Sequence, residues 1–206
     1  MPVSEKLRVF LAVWLSSTVV DALAEKVEAL QREIGRDAAL NKAIRWIKHD
    51  VWHLTVVFIG SVDPAGLSDL EIAAKSAAAR SQPFDIVLGK AGVFPGLRSP
   101  RVLWVGVTEG DTEWHAFAGT VRDEVRRFLP LKREAGHIPH VTVARISRPA
   151  DVGAVLERLD TLPPTRQRVD RLALVKSELL PAGARYETLA EYKLGGEATA
   201  DAASSP

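Results

Sequence analysis

The chain of 206 residues contains no cysteine. Disulfide scaffolds, thiolate metal sites and cysteine nucleophiles are therefore excluded. A long hydrophobic run is also missing, because the apolar stretch from Val9 to Leu15 is far shorter than the roughly 18 residues that a membrane helix needs. No small-residue cleavage pattern follows this stretch, so we interpret it as a buried strand and not as a signal peptide. We expect a cytoplasmic protein without membrane contact.

The sequence has no excess of charge of one sign. Its 27 basic and 26 acidic side chains leave a formal net charge of +1. This balance is not typical of a protein that binds nucleic acid over a broad basic surface, so any basic surface must be local. The hydrophobic share of 47% is enough for the core of one large domain or of two small intertwined lobes.

What the sequence does contain is a duplicated pattern, His-x-Thr-x, at 53–56 and 140–143. Side chains alternate between the two faces of a strand, so His53 and Thr55 project from one face, and His140 and Thr142 do likewise. If the two strands lie side by side, two imidazoles and two hydroxyls converge. This set of groups suits a phosphate ester that is broken without a metal ion.

Hydrophobic periodicity and turn residues predict strands and helices along the whole chain. We expect a helix that begins after the N-cap cluster at 16–18 and ends at Gly35, a short strand at 45–47 within the connection 36–50, and a Gly/Pro loop at 89–100. The other expected strands cover 7–15, 53–59, 84–88, 101–108, 138–146, 169–177 and 186–194, and the expected helices cover 20–34, 64–80, 111–129 and 151–159.

The order of these elements repeats along the chain. The spacing between His53 and His140 is within one residue of the spacing between Phe94 and Leu180, and a proline follows each of the latter two. Each half runs motif strand, helix, strand, proline turn, strand. Two copies of one lobe, related by an approximate two-fold axis, would bring the motifs face to face across a cleft.

Four stretches carry a resemblance to a known family: His-Leu-Thr-Val-Val-Phe-Ile-Gly at 53–60, Val-Phe-Pro at 93–95 with Pro-Arg-Val-Leu-Trp-Val-Gly at 100–106, Pro-His-Val-Thr-Val-Ala-Arg at 139–145, and Ser-Glu-Leu-Leu-Pro at 177–181. In this order they resemble the two-histidine phosphoesterase superfamily, and most closely its RNA 2′,3′-cyclic phosphodiesterases, historically called 2′-5′ RNA ligases. The resemblance covers residues 7 to 194.

The resemblance implies an α+β fold of two pseudo-symmetric lobes of antiparallel sheet, flanked by helices, around a central cleft. We therefore predict a single bilobed domain with an internal repeat over residues 1–194. The remaining segment, 195–206, has nothing to pack and is predicted to be a disordered tail.

The resemblance also implies the reaction: metal-independent hydrolysis of a 2′,3′-cyclic phosphate on RNA or a nucleotide to a 2′-phosphomonoester, with His53 as proton donor and His140 as proton acceptor. The sequence itself leaves the order of the two histidines open. Thr55 and Thr142 would hydrogen-bond the non-bridging phosphate oxygens. In the reverse reaction, the same two histidines could join an RNA end that carries a 2′,3′-cyclic phosphate to a 5′-hydroxyl, which explains the name ligase. No cofactor is expected, the partners are RNA or nucleotides with such ends, and we expect a monomer.

Three further residues are candidate substrate contacts. Arg145 could bind phosphate or a base, although a surface salt bridge would explain it as well. Phe94 could stack on a base, and Arg101, at the start of an apolar strand, could line the cleft, but structural roles would explain both. A basic cluster could contact an RNA backbone or simply be solvated: Arg122, Arg126, Arg127, Lys132 and Arg133.

Three alternatives stay open. His49 and His137 lie near the motifs and could complete a four-histidine metal site, although threonine is not a typical ligand. The same site could act on 2′-5′-linked oligonucleotides or on an ADP-ribose cyclic phosphate, and the turnover of these substrates would separate the hypotheses. A chain that binds nucleotide or RNA without turnover is the third alternative, against which the intact histidine and threonine pairs argue.

Overall fold

A computed structural model of the protein describes residues 6–131, 137–180 and 183–195. The strands are β1 (Leu7–Trp14), β2 (Ile44–Trp46), β3 (His53–Val62), β4 (Phe84–Phe94), β5 (Val102–Glu109), β6 (His140–Ile146), β7 (Thr165–Val169), β8 (Arg171–Leu180) and β9 (Gly183–Lys193). The α-helices are α1 (Ser17–Ile34), α2 (Ala38–Ala43), α3 (Leu67–Ala79), α4 (Asp111–Arg126) and α5 (Gly153–Asp160).

The strands of the described residues form one antiparallel sheet. Eight of them lie in the order β7-β4-β5-β6-β3-β1-β8-β9, and β2 pairs with β6. The motif strands β3 and β6 are neighbours at the centre, and each has half of the sheet on its outer side. Helices and antiparallel strands arranged in two related halves confirm the predicted α+β fold class.

The two halves of the sheet interlock. The strand β4 follows the first motif along the chain but pairs with β5, in the half that contains the second motif. In the same way β8 follows the second motif but pairs with β1, beside the first. The position equivalent to β5 is therefore held by β1, and β9 is the edge strand of its half as β7 is of the other. The cleft at the centre is thus built from both halves of the sequence.

The main hydrophobic core lies between the helices and one face of the sheet. Leu54 and Val56 of β3 and Val141 and Val143 of β6 enter it and are fully buried. The helix α1 contributes a stripe at spacings of three and four residues and is capped by Ser16, whose hydroxyl accepts the N–H of Val19 at 3.4 Å. The opposite face of the sheet carries the motif side chains and a second, smaller apolar cluster of Phe10, Ala12, Ala173 and Val175.

Three parts of the sequence prediction differ from the structure. The predicted loop from residue 89 is strand up to Phe94, because Gly92 leaves room for the indole ring of Trp104. The connection 36–50 forms α2, whose first N–H groups are accepted by the carboxylate of Asp37. The strand predicted at 169–177 is β8, and the separate strand β7 before it was not predicted.

The end of the described chain is attached to α3. The N–H of Gly195 donates to the carbonyl of Ala78 at 3.1 Å, so the predicted tail does not begin at this residue. Residues 196–206 lie outside the described residues. No helix in the described part of the chain is long and apolar enough to span a membrane.

Candidate active site

The two motif strands pair at Leu54 of β3 and Val141 of β6. Because the strands are antiparallel, each motif histidine lies beside the threonine of the other motif, on the face opposite the buried pair. His53 and His140 are then diagonal neighbours, a relation that separates side chains in such a pair by about 7–8 Å. This arrangement puts the four predicted side chains on one face of the sheet, around the point where the two motif strands pair.

Each motif strand has a β-bulge three residues after its histidine. The pairing of β3 with β1 skips Val56, and the pairing of β6 with β5 skips Val143. A bulge changes the face toward which the following side chains point. Phe58 and Arg145, each five residues after its histidine, therefore return to the cleft face and are exposed.

Both motif histidines are oriented by a backbone carbonyl two residues earlier. His53 Nδ1 lies 2.9 Å from the carbonyl oxygen of Val51, and His140 Nδ1 lies 2.7 Å from that of Ile138. Because a carbonyl oxygen can only accept, Nδ1 of each ring must carry a proton. Nε2 of each ring is the nitrogen that remains for proton transfer.

Aromatic rings surround His53. The ring centroids of Phe10, Trp14 and Tyr186 lie 4.9, 5.5 and 5.2 Å from that of His53. Burial lowers the pKa of His53, the backbone hydrogen bond opposes this effect, and a charge on the other motif histidine lowers the pKa further. The neutral ring is therefore favoured at this position before substrate binds.

His140 has a different set of neighbours. Its ring lies 5.0 Å from that of Phe94, 5.9 Å from that of Trp104 and 6.3 Å from that of His137. Burial lowers the pKa of His140, the hydrogen bond to the Ile138 carbonyl opposes this effect, and charge on His137 lowers the pKa further. The neutral form is favoured here as well.

Arg145 reaches the other half of the cleft. Burial raises the pKa of the Tyr186 hydroxyl, and the positive charges of Arg145 and Arg8 oppose that rise. The guanidinium of Arg8 also lies over the ring of Phe58, 4.6 Å from its centroid. The two arginines thus make one end of the cleft positive.

Of the other two predicted substrate contacts, Phe94 lies in the site and Arg101 closes a turn at its border. The N–H of Arg101 donates to the carbonyl of Phe94 at 2.7 Å, and its own carbonyl accepts the N–H of Ile146 at 2.8 Å. The side chain of Arg101 is exposed. Its backbone therefore joins the β4–β5 hairpin to β6.

Sequence reasoning missed the aromatic residues that form the walls of the site. They come from β1, β3, β5 and β9 and are Phe10, Trp14, Phe58, Trp104 and Tyr186. In β1 both alternating sets of side chains are apolar apart from Arg8 at its beginning, so alternation gave little indication of which set faces a cleft. The glycines beside Trp104 were the available signal, because glycine within a strand often marks close approach of another group.

Two glycines set the position of the Trp104 ring. Gly92 pairs with Trp104 across β4 and β5, and Gly106 lies two residues further along β5. A Cβ atom at either position would overlap the indole ring. The ring is only 8% exposed and supports both Phe94 and His140.

The four-histidine metal site is not formed. His49 packs against Trp52 with 6.0 Å between ring centroids, and His137 Nε2 donates to the carbonyl of Thr55 at 3.0 Å. Within the described residues, no three His, Cys, Asp or Glu side chains are grouped as metal ligands.

The described arginines at the end of the predicted basic cluster's helix pair with acidic residues away from the cleft. Arg126 pairs with Asp123 at 3.3 Å, and Arg127 pairs with the buried Glu124 at 3.0 Å. Arg126 is the last residue of α4 and Arg127 follows it, and α4 packs on the opposite face of the sheet. Lys132 and Arg133 lie outside the described residues.

The sequence and the fold of this chain are similar to those of known proteins. A family model described as the 2′-5′ RNA ligase superfamily matches residues 19–179. An RNA 2′,3′-cyclic phosphodiesterase of Aquifex aeolicus is 27% identical over 84% of this chain and 94% of that protein. One of Aeropyrum pernix is 33% identical over 78% of this chain and 96% of that protein. The crystal structure of TT0787 of Thermus thermophilus has a TM-score of 0.73 and 28% identity, and the match covers 93% of this chain and 100% of that one. The chain belongs to the 2′-5′ RNA ligase superfamily.

Proposed function

We propose that the protein hydrolyses the 2′,3′-cyclic phosphate at the end of an RNA or a nucleotide to a 2′-phosphomonoester, without a metal ion. The observation that carries the proposal is the pairing of Leu54 with Val141, because it gathers both histidines and both threonines around one space. Family membership and relatives named RNA 2′,3′-cyclic phosphodiesterase support the substrate class.

In the proposed reaction, Nε2 of His140 takes a proton from a water molecule as the water oxygen attacks phosphorus. The bond between phosphorus and the 3′ oxygen breaks, and Nε2–H of His53 gives its proton to that oxygen. Each proton transfer contributes about 10²–10⁴-fold to the rate. The donor and acceptor roles are those that the family resemblance implies. A proton must pass from His140 back to His53 through solvent before the next turnover.

The substrate itself supplies the charge that this scheme requires. Burial lowers the pKa of both His53 and His140, so the empty site favours two neutral rings. The negative charge of a cyclic phosphodiester between the rings favours the protonated form of one of them. The hydroxyls of Thr55 and Thr142 then donate to the non-bridging oxygens, where negative charge grows in the transition state.

Substrate binding is proposed to extend beyond the four motif residues. Phe94 lies 5.0 Å from the His140 ring and offers an apolar surface beside the phosphate. Arg145 points into the cleft from β6 and supplies a positive charge for the phosphate or the base. Arg101 is less well placed for direct contact, because its backbone closes the hairpin while its side chain is exposed.

A comparison of three substrates tests this function. An oligoribonucleotide with a 2′,3′-cyclic phosphate end, a 2′-5′-linked dinucleotide and an ADP-ribose cyclic phosphate are assayed at equal concentrations. We expect the largest kcat/KM for the first. A larger value for either of the others would overturn the proposed substrate class, and binding of all three without product would overturn the enzymatic function.

A further inference from the structure

We propose that His137, which belongs to neither motif, is a positioning residue that ties the two motif strands together and keeps the adjacent His140 ring in its neutral, proton-accepting form. This inference rests on the proposed function, because it concerns which histidine acts as the base. The two contacts that carry it are independent of the identity of the substrate.

The first contact links the segment before β6 to β3. His137 Nε2 lies 3.0 Å from the backbone carbonyl oxygen of Thr55, a residue 82 positions earlier in the chain. Since the carbonyl can only accept, Nε2 of His137 must carry a proton and donate it. The bond lies next to the pairing of Leu54 with Val141, where the two motif strands meet. It therefore helps to fix the separation of the two motif histidines.

The second contact is with the proposed base. The rings of His137 and His140 are 6.3 Å apart between centroids and inclined by 47°. Whenever His137 carries a second proton, its positive charge disfavours a proton on His140. This charge acts in the same direction as burial, the larger cause of the lowered pKa of His140. Both effects favour a ring that can accept a proton from water.

Among the residues that the structure describes, His53 has no equivalent imidazole neighbour from outside the motifs. Its aromatic neighbours carry no positive charge, and its imidazole neighbour is His140 itself. The other histidine near the first motif, His49, packs against Trp52 instead. An imidazole from outside the motifs therefore lies beside His140, and none of the described residues places one beside His53. An acid–base pair needs this kind of asymmetry, because one ring must begin neutral and the other protonated.

The remaining charged groups around His140 stay constant when His137 is replaced. Among the described residues, β3 contributes His53, β6 contributes Arg145, and β4 contributes the exposed Lys90 on the cleft face, two strands away. The neighbouring part of β5 contributes the uncharged Trp104. A change in the titration of His140 on replacement of His137 therefore reports on His137.

Two substitutions separate the effect of the hydrogen bond to the Thr55 carbonyl from the effect of a charge on His137. In His137→Gln, the side-chain amide can still donate to the Thr55 carbonyl but never carries a charge. In His137→Leu, both the donor and the charge are lost. His49→Gln is the matched control, because His49 is exposed and packs away from both motif histidines.

The measurement is an NMR titration of the histidine rings in the full chain, combined with the pH profile of kcat/KM. We expect both substitutions to raise the pKa of His140 and to change that of His53 less. His137→Gln should lower kcat/KM several-fold at pH 5.5 but less than about twofold at pH 8, because the limb that reports the base moves to higher pH. His137→Leu should lower it at both pH values, and His49→Gln should change neither quantity.

An unchanged pKa of His140 in both variants would overturn the inference. So would an equal loss of activity at all pH values in both, because that result describes a structural role alone. If the wild-type protein turned over none of the substrates, the proposed function would fail, while the titration would still decide whether His137 controls the protonation of His140.

Discussion

Leu54 and Val141 pair across the centre of the sheet, and both side chains are fully buried. The neighbouring positions on each strand point to the other face, so this pair determines where the four motif side chains stand. Each histidine lies beside the threonine that comes from the other half of the sequence. The site therefore depends on long-range backbone pairing and not on either motif alone.

Replacing either motif histidine should abolish turnover and leave the fold intact. We expect His53→Ala and His140→Ala each to lower kcat by at least about 10²-fold, since each removes one proton transfer. Melting temperatures should stay close to that of the wild type, because both rings lie on the cleft face and outside the main core. Initial rates and thermal melts of the purified variants measure the two effects.

The matched control for these variants is His115→Ala. His115 is on α4, pairs with Asp111 at 3.3 Å and lies outside the cleft. This variant should keep the wild-type rate. A wild-type rate in either motif variant would contradict the two-histidine mechanism.

Replacing the motif threonines with valine tests the role of the hydroxyls at nearly constant shape. Thr55→Val and Thr142→Val should each lower kcat by about 10²-fold, because removing one donor to a developing anion has an effect of this order. Thr55→Ser and Thr142→Ser restore a hydroxyl and should recover most of the rate. Valine variants with an unchanged kcat would show that the hydroxyls do not contact the transition state.

Acid should destabilise the protein through the two motif histidines. Burial lowers the pKa of both His53 and His140 in the folded state. A histidine in the unfolded chain has a pKa of about 6.5. Below that pH the unfolded chain binds more protons than the folded chain, so the free energy of unfolding decreases as the pH is lowered. Stabilisation by the neutral rings is complete above that pH and is lost as the pH falls through the folded pKa values.

Denaturant titrations between pH 7 and pH 5 measure this effect. The double variant His53→Gln/His140→Gln should lose less free energy of unfolding over the same range than the wild type. If the free energy of unfolding depended on pH equally in the two proteins, the pKa values of the two rings would be the same in the folded and unfolded states.

Local sequence patterns were sufficient to place the motif side chains. Strict alternation put His53 and Thr55 on one face of a strand and Leu54 on the other, and the buried fractions agree. Helical spacing and the cap at Ser16 likewise located α1. These features are set by residues close together in the chain, which is why one sequence shows them.

The face occupied by Arg145 could not be derived in this way. Arg145 comes five residues after His140, and in a regular strand an odd separation would put the two side chains on opposite faces. Arg145 lies on the cleft face only because of the bulge at Val143. The same applies to Phe58 after the bulge at Val56. A bulge depends on the register with a neighbouring strand, and pairing between distant segments leaves no local signal.

The wall beside His140 should be sensitive to one methyl group. In Gly92→Ala, the new Cβ would overlap the indole of Trp104, which must then move away from Phe94 and His140. We expect a loss of about 1–3 kcal/mol in the free energy of unfolding, as is usual for overpacking. The rate should also fall, and chemical denaturation with parallel assays measures both.

The matched control is Gly96→Ala, because the space around a Cβ at Gly96 is open to at least 4 Å. It should be neutral in both measurements. The double variant Gly92→Ala/Trp104→Leu replaces the indole by a smaller side chain, which removes the overlap, and should recover part of the lost free energy of unfolding. Equal effects of the two glycine substitutions would contradict the role assigned to Trp104.

Incubation of the protein with 2′,3′-cyclic AMP in the presence of EDTA, followed by chromatographic identification of the product, examines the reaction class, the bond broken and the need for metal together. Hydrolysis by His53 and His140 as described predicts 2′-AMP as the product and a rate that EDTA does not change. Formation of 3′-AMP, or loss of turnover in EDTA, would contradict it.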